Sequence, residues 1–398
     1  VSAIQNPALQ NRALPDDPRI GFWTALLIAV VLVVWRFSSI DAEGGGQMKY
    51  ILYLLPFFCI AFQALLRNLV VPFHPPGAQA VGLYVLAAGA AILAGRSSNP
   101  FLVRDLLIIG TYLMMFSVAW SATHREVMIV AATCFACMLI EALQEGISLN
   151  VDILASDGIL ESVMAFPLGV IVLYAFRTRR LVFGLVTGIL FFAAYKRIAI
   201  MAVIAVLAFE WAIVTFGLAR RRRALAILLV ILLSLSSLFS MQLFEYGAKF
   251  VGGENVSANS LSLGRFEFSV AIWREVEAAP MAKLLFGHGP GSADTIVQTA
   301  DDHASNPHND WLKIFVDYGA FGFVLFHLIL LRMFAGSPFG ILIYLYTAIV
   351  MTTDNSLIYT FHHVIVLVVL RAAASMPLAA TAPPRWSTRR HAPVAAPN

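Results

Sequence analysis

The chain has 398 residues, of which 60% are hydrophobic and 13% charged, and its net charge is +4. A soluble domain carries about 25% charged and about 45–50% apolar residues, so most of this chain has lipid as its solvent. A basic balance would suggest nucleic acid in a soluble protein; here the distribution of charge matters more than its sum, and no nucleic-acid partner is expected.

Apolar runs near 20–35, 50–66, 78–94, 101–120, 126–143, 159–176, 181–195, 198–218, 224–242, 311–331, 339–352 and 360–376 predict about twelve transmembrane helices, because a crossing needs about 20 apolar residues. The expected fold is an all-α polytopic membrane protein with one large, partly helical periplasmic loop. No small-residue cleavage site follows the first run, which reads as a retained span. Trp23, Trp35, Trp120, Trp211 and Trp311 fall near span ends, where interfacial anchors belong. Cys59, Cys134 and Cys137 lie inside apolar runs and read as packing residues. With the N-terminus cytoplasmic, Arg177, Arg179, Arg180, the run Arg220 to Arg223, Arg332 and Arg371 all fall on the cytoplasmic side, as the positive-inside rule requires. Both tails, 1–19 and 377–398, are then cytoplasmic. Helices one to nine occupy 20–243 and helices ten to twelve 311–376.

The remaining segment, 244–310, is too long for a simple connection and falls on the periplasmic side. Residues 263–279 read as an amphipathic helix with Phe266, Val270 and Trp273 on one face. Pro280 ends it, and Gly287, Gly289 and Gly291 follow as a turn signature.

The chain has no GxxxxGK[ST], no HExxH and no cysteine framework for a metal, which argues against a P-loop nucleotide site and the commonest zinc sites. No nucleotide is available outside the inner membrane, so an enzyme there uses a donor that arrives activated, such as a lipid diphosphate. Cations on that face need a reason. Lys196 and Arg197 sit in a tight turn opening the eighth helix; the place suits a phosphate, and equally two side chains reaching for the interface. Arg265 opens the loop helix, and Arg274 lies nine residues on, half a turn out of phase. The two cannot serve one site, and either could be a solvated face. His308, where the chain re-enters the membrane, suits a general base or simple polar surface. With His288 and His303 it makes three loop histidines, whose spacing matches no ligand pair, so no metal is expected. Asp105, Glu141 and Asp317, with Arg104 beside Asp105, are ionisable groups in or near spans and rank below the arginines.

The stretch from Ser262 to Gly322 resembles the O-antigen ligase/polymerase family of bacterial membrane glycosyltransferases. The resemblance is carried by Gly264-Arg265, Trp273, the run Leu285 to Ser292, Pro307-His308-Asn309 and the run Val316 to Gly322. It implies transfer of a glycan from undecaprenyl diphosphate to the lipid A core by a ligase, or to a growing glycan by a polymerase. It further implies Arg197 and Arg265 as ligands of the donor diphosphate and His308 as the catalytic group, with Lys196, His303 and Asn309 in support. No cofactor is implied. Fixed guanidiniums suit the charge that grows on a diphosphate leaving group, and direct attack would invert the anomeric carbon. A transporter of the same lipid is the alternative class; it would carry charge through the bundle to the cytoplasmic side, whereas the candidate cations cluster on the periplasmic face.

Overall fold

The computed structural model describes residues 18–38, 49–68, 75–95, 99–118, 120–146, 162–251, 265–301 and 306–375. His303 lies outside them. Regular structure among the described residues is helical throughout: α1 (Pro18–Ser38), α2 (Lys49–Leu66), α3 (Pro75–Gly95), α4 (Leu102–Ser117), α5 (His124–Glu145), α6 (Ala165–Arg177), α7 (Leu181–Ala193), α8 (Arg197–Thr215), α9 (Arg222–Leu238), α10 (Ser240–Val251), α11 (Arg265–Glu277), α12 (Met281–Phe286), α13 (Ser292–Ala300), α14 (Asp310–Phe334), α15 (Pro338–Val350) and α16 (Thr360–Ala374).

Each of the twelve apolar runs lies on a helix, but the helices are of different kinds. α1, α3, α5, α8 and α14 are long and apolar enough to cross a membrane alone, and α9 passes the same test only jointly with α10, from which it is bent by 81°. α2, α6, α7, α15 and α16 are apolar but shorter. α15 is the clearest case. Its 13 residues span about 20 Å, against about 30 Å of hydrocarbon, and all but Pro338 and Ile349 are buried. It begins where the Ser337 hydroxyl accepts from the Gly340 N–H at 2.9 Å, with Pro338 in the first turn. It packs against α8, α9 and α14. The tyrosines Tyr344 and Tyr346 are fully buried, and Tyr346 donates to the carbonyl of Phe166 at 2.9 Å. This helix is core.

Polar contacts sort the helix ends into two sets. At one end the C-termini of α9 and α15 meet the N-termini of α14 and α11: Ser237 donates to Asn309 Oδ1 at 2.7 Å, and Arg265 donates to the carbonyl of Thr353 at 2.5 Å. At the other end Glu210 pairs with Arg222 at 2.8 Å and Arg177 at 3.7 Å, Arg332 donates to Gln79, and Ser375 donates to the carbonyl of Ala122 at 2.9 Å. The arginine-rich connections at 177–180 and 220–223 therefore share the end opposite to Arg265 and His308.

α14 is broken at Gly319, whose backbone sits at φ 67° and ψ −176°. The break frees carbonyls, and the glycine turn takes them up: His288 N–H donates to Val316 O at 2.9 Å and Gly289 N–H to Asp317 O at 3.1 Å. The two chains touch backbone to backbone. A Cβ on Gly319 would stand 2.5 Å from the Leu285 carbonyl carbon, and one on Gly287 would stand 2.2 Å from the Asp317 carbonyl oxygen. The Asp317 carboxylate then accepts from the N–H groups of Gly291 at 3.1 Å and Ala293 at 2.8 Å, closing the N-terminus of α13. The run 285–292 and the run 316–322 are thus two halves of one joint.

One reading of side-chain position is corrected. Trp311 and Trp120 are not interfacial anchors; they are buried, and Trp311 donates to the carbonyl of Ala348 at 3.0 Å. Trp23 and Trp211 are exposed. The fully buried residues of α11 are Ser269, Ile272 and Val276, while Phe266, Val270 and Trp273, which share one face, are half-buried. The helix is laid on its Ser269 side because Trp273 reaches across to donate to the Leu238 carbonyl at 2.8 Å, and Ser240 meets Ser269 at 3.3 Å. Cys59, Cys134 and Cys137 are free and buried.

Candidate functional site

At the junction of α9, α10, α11, α14 and α15 lies a small open cleft lined by Ser240, Phe244, Arg265, Ser269, Pro307, His308, Asn309, Thr352 and Thr353. Arg265 and His308, 43 positions apart (308 minus 265), meet here. Arg265 reaches the cleft because it opens α11 on the same face as Ser269. Its bond to Thr353 O uses one guanidinium donor, and no other partner for the fork exists among the described residues. Arg274 is exposed on another face.

His308 is held in a conformation that L residues rarely adopt, with φ 52°. Such strain persists only where the surroundings over-determine it. They do so here: Asn309 caps α14 by accepting from Leu312 N–H at 3.0 Å, accepts from Ser237 Oγ, and donates to Ser237 O at 3.0 Å. Asn309 is therefore the residue that welds α9 to α14, with its polar atoms spent on that weld. Tyr195, just before Lys196 and Arg197, is also left-handed, at φ 38°.

The electrostatics of the ring follow from its place. Burial, and after it the charge of Arg265, hold the His308 pKa below the ordinary histidine value; Asp354 opposes this and Lys196 adds to it. His308 is consequently neutral near pH 7, the state a base requires. Its Nδ1 lies 3.3 Å from the side-chain amide of Asn355. The two ends of that amide are interchangeable, and the Asn355 oxygen is otherwise buried without a partner. With the oxygen turned to the ring, Nδ1 carries the proton and Nε2 keeps its lone pair.

Lys196, in the turn before α8, is half-buried, does not line the cleft and adds to the lowering of the His308 pKa. Arg197 opens α8, is half-buried and does not line the cleft. Asp354 and Asn355 were passed over in the sequence, although an acid and an amide between two apolar runs were signal enough.

A second polar cluster lies beside the α14 break. Lys313 is ringed by Asp105 at 2.5 Å, Asp294 at 2.6 Å and Asp317 at 2.8 Å, and Arg104 pairs with Asp105 at 3.2 Å and with Asp294. Arg104 and Asp105 thus pair rather than solvate separately. The group ties α4, α13 and α14 together, and Lys313, a charge inside an apolar run, was its overlooked signal. Glu141 pairs with Arg36 at 2.9 Å. Among the described residues no group of three or more His, Cys, Asp or Glu side chains is placed to hold a metal ion.

A family model described as O-antigen ligase matches residues 181–327. The match runs from α7 into α14 and takes in Lys196, Arg197, Arg265, His308 and the joint at Asp317, while Asp354 and Asn355 lie beyond it. No curated protein and no solved structure matches the chain. The match over residues 181–327, which holds Arg265 and His308, supports the O-antigen ligase/polymerase family, whose members are glycosyltransferase-like enzymes acting on lipid-linked glycans.

Proposed function

We propose that this protein is an O-antigen ligase of the bacterial inner membrane, transferring a glycan from undecaprenyl diphosphate to the lipid A core at the periplasmic face. The observation that carries the reading is the convergence of a neutral, half-buried His308 and the Arg265 guanidinium on one cleft. Lys196 brings a second cation toward that cleft, and Arg197 stands in the same turn.

In the proposed step the donor diphosphate is held by Arg265 and by the basic pair 196–197. His308 Nε2 removes the proton of the acceptor hydroxyl as its oxygen attacks the anomeric carbon. The bond from that carbon to the diphosphate oxygen breaks, and its electrons leave with undecaprenyl diphosphate. Configuration inverts. Fixed guanidinium charge stabilises the leaving group without reorganising, and the base adds about 10²–10⁴-fold. This arrangement requires no metal. The opposite-end placement of the arginine-rich connections supports a periplasmic cleft and cytoplasmic termini.

The test is the lipopolysaccharide profile of a strain lacking the gene. Loss of all long-chain material, with undecaprenyl-linked polymer accumulating, is the expected result. Core bearing a single repeat unit would instead identify a polymerase. Transfer by the purified enzyme is expected to survive EDTA; loss that magnesium or manganese restores would overturn the arginine-held diphosphate.

A further inference from the structure

α10 presents three chemically different faces. Phe239, Leu243, Tyr246 and Phe250 follow one another at steps of four, three and four residues and are 53%, 54%, 71% and 93% exposed. Those steps keep them on one stripe of a helix. On α9, Leu232 and Leu235 are exposed as well. A second face belongs to the protein: Ser240 and Phe244 line the cleft and Ala248 is buried. A third carries the exposed charges Glu245 and Lys249, with Lys249 over the Tyr246 ring at 5.8 Å.

The axis of α10 stands at 81° to the helix pair's first member. If α9 runs across the bilayer, α10 runs along its surface. A helix in that position has protein on one side, acyl chains beneath it and water above it, which is the division its three faces show. An apolar stripe this exposed on a free aqueous surface would have no compensation.

We infer that α10 is an interfacial helix seated in the head-group layer, with the Phe239–Leu243–Tyr246–Phe250 stripe in the acyl chains of the leaflet beside the cleft. The partner surface is the lipid bilayer itself. Because Ser240 and Phe244 are on the same short helix, the cleft is held at head-group depth. A ligand with its polar head at that depth and its chain in the leaflet meets Arg265 without leaving the membrane. The inference rests on the bundle being embedded in lipid, not on the reaction proposed above.

The test is nitroxide depth measurement on the full chain in phosphatidylethanolamine–phosphatidylglycerol nanodiscs. Single labels are placed through Leu243→Cys, Tyr246→Cys, Phe250→Cys and Glu245→Cys, with Leu232→Cys as the bilayer reference; the native cysteines are buried. Collision rates with oxygen and with a water-soluble nickel chelate give depth. The expected result is a several-fold higher oxygen-to-nickel ratio at positions 243, 246 and 250 than at 245. Equal ratios at all four, with position 232 deep, would overturn the inference. So would shielding of the stripe from both reagents, which would mark a protein partner or a second copy. Nickel access at position 232 would remove the embedded bundle and the inference together. Glycan transfer is scored separately, so its failure leaves the depth result standing.

Discussion

At the scale of single residues, His308 and its two charged neighbours make opposed predictions. A base works unprotonated, so transfer rises as pH climbs through the lowered His308 pKa and is flat by neutral pH. Arg265 helps depress that pKa and Asp354 raises it. Arg265→Gln therefore moves the acid limb of the single-turnover profile up, toward about 6.5, the ordinary histidine value, and Asp354→Asn moves it down. A limb unmoved in both variants would mean that another group titrates. His308→Ala should lower turnover by about 10²–10⁴-fold with binding of a lipid diphosphate donor retained. Near-normal turnover in folded His308→Ala protein would refute the base. Arg265→Lys keeps charge but loses the planar fork, so transfer should still fall, whereas Arg274→Ala should be close to neutral. The sequence made Arg265 and His308 visible because a guanidinium and an imidazole outside an apolar run stand out. The resemblance put Arg197 ahead of Lys196; the two differ by one residue of helix phase, which a sequence alone does not resolve.

At the scale of elements, the joint between the glycine turn and the broken α14 carries the site. Gly319→Ala meets both a left-handed backbone, costing about 1–3 kcal/mol, and the Leu285 carbonyl. It should lower the melting temperature of purified protein and impair transfer together; a variant with unchanged melting would show that the break is dispensable. Lys313→Met leaves Asp105, Asp294 and Asp317 facing one another without their shared cation. Breaking a buried pair of this kind costs about 3–5 kcal/mol, read as lost monodispersity or a large fall in melting temperature, and unaltered melting would refute the lock. The motif residues were legible as a pattern but not as a device. Gly287 and Gly319 are 32 positions apart (319 minus 287), and nothing in either run says that it is shaped to the other. The side on which α11 is seated was not legible for a similar reason: aromatic residues mark an apolar side, but the small Ser269 marks where a neighbour comes close.

At the scale of the molecule, the arginine asymmetry predicts topology. A reporter active only in the periplasm should work when fused after Gly291 and be silent after Arg222; the reverse pattern would overturn the orientation and the site's location together. The helices on the apolar runs were legible, since long apolar runs have few other solutions in lipid, whereas α10, α12 and α13 were not. Which helices touch lipid was not, because an apolar side chain suits a lipid face and a protein interior equally well. α1, with exposed Val30, Val34 and Phe37, and α15, with almost none of its residues exposed, read alike in sequence.

The burial of α15 bears on how the protein is made. A segment of 13 residues is a poor substrate for autonomous insertion, and its principal neighbours, α8, α9 and α14, are synthesised before it. Its membrane residence is thus conferred by a slot those helices have already built. A lesion that loosens α8 or α9 would then show itself as a C-terminal hairpin stranded outside the bundle and open to quality-control proteolysis, while the N-terminal helices remain inserted.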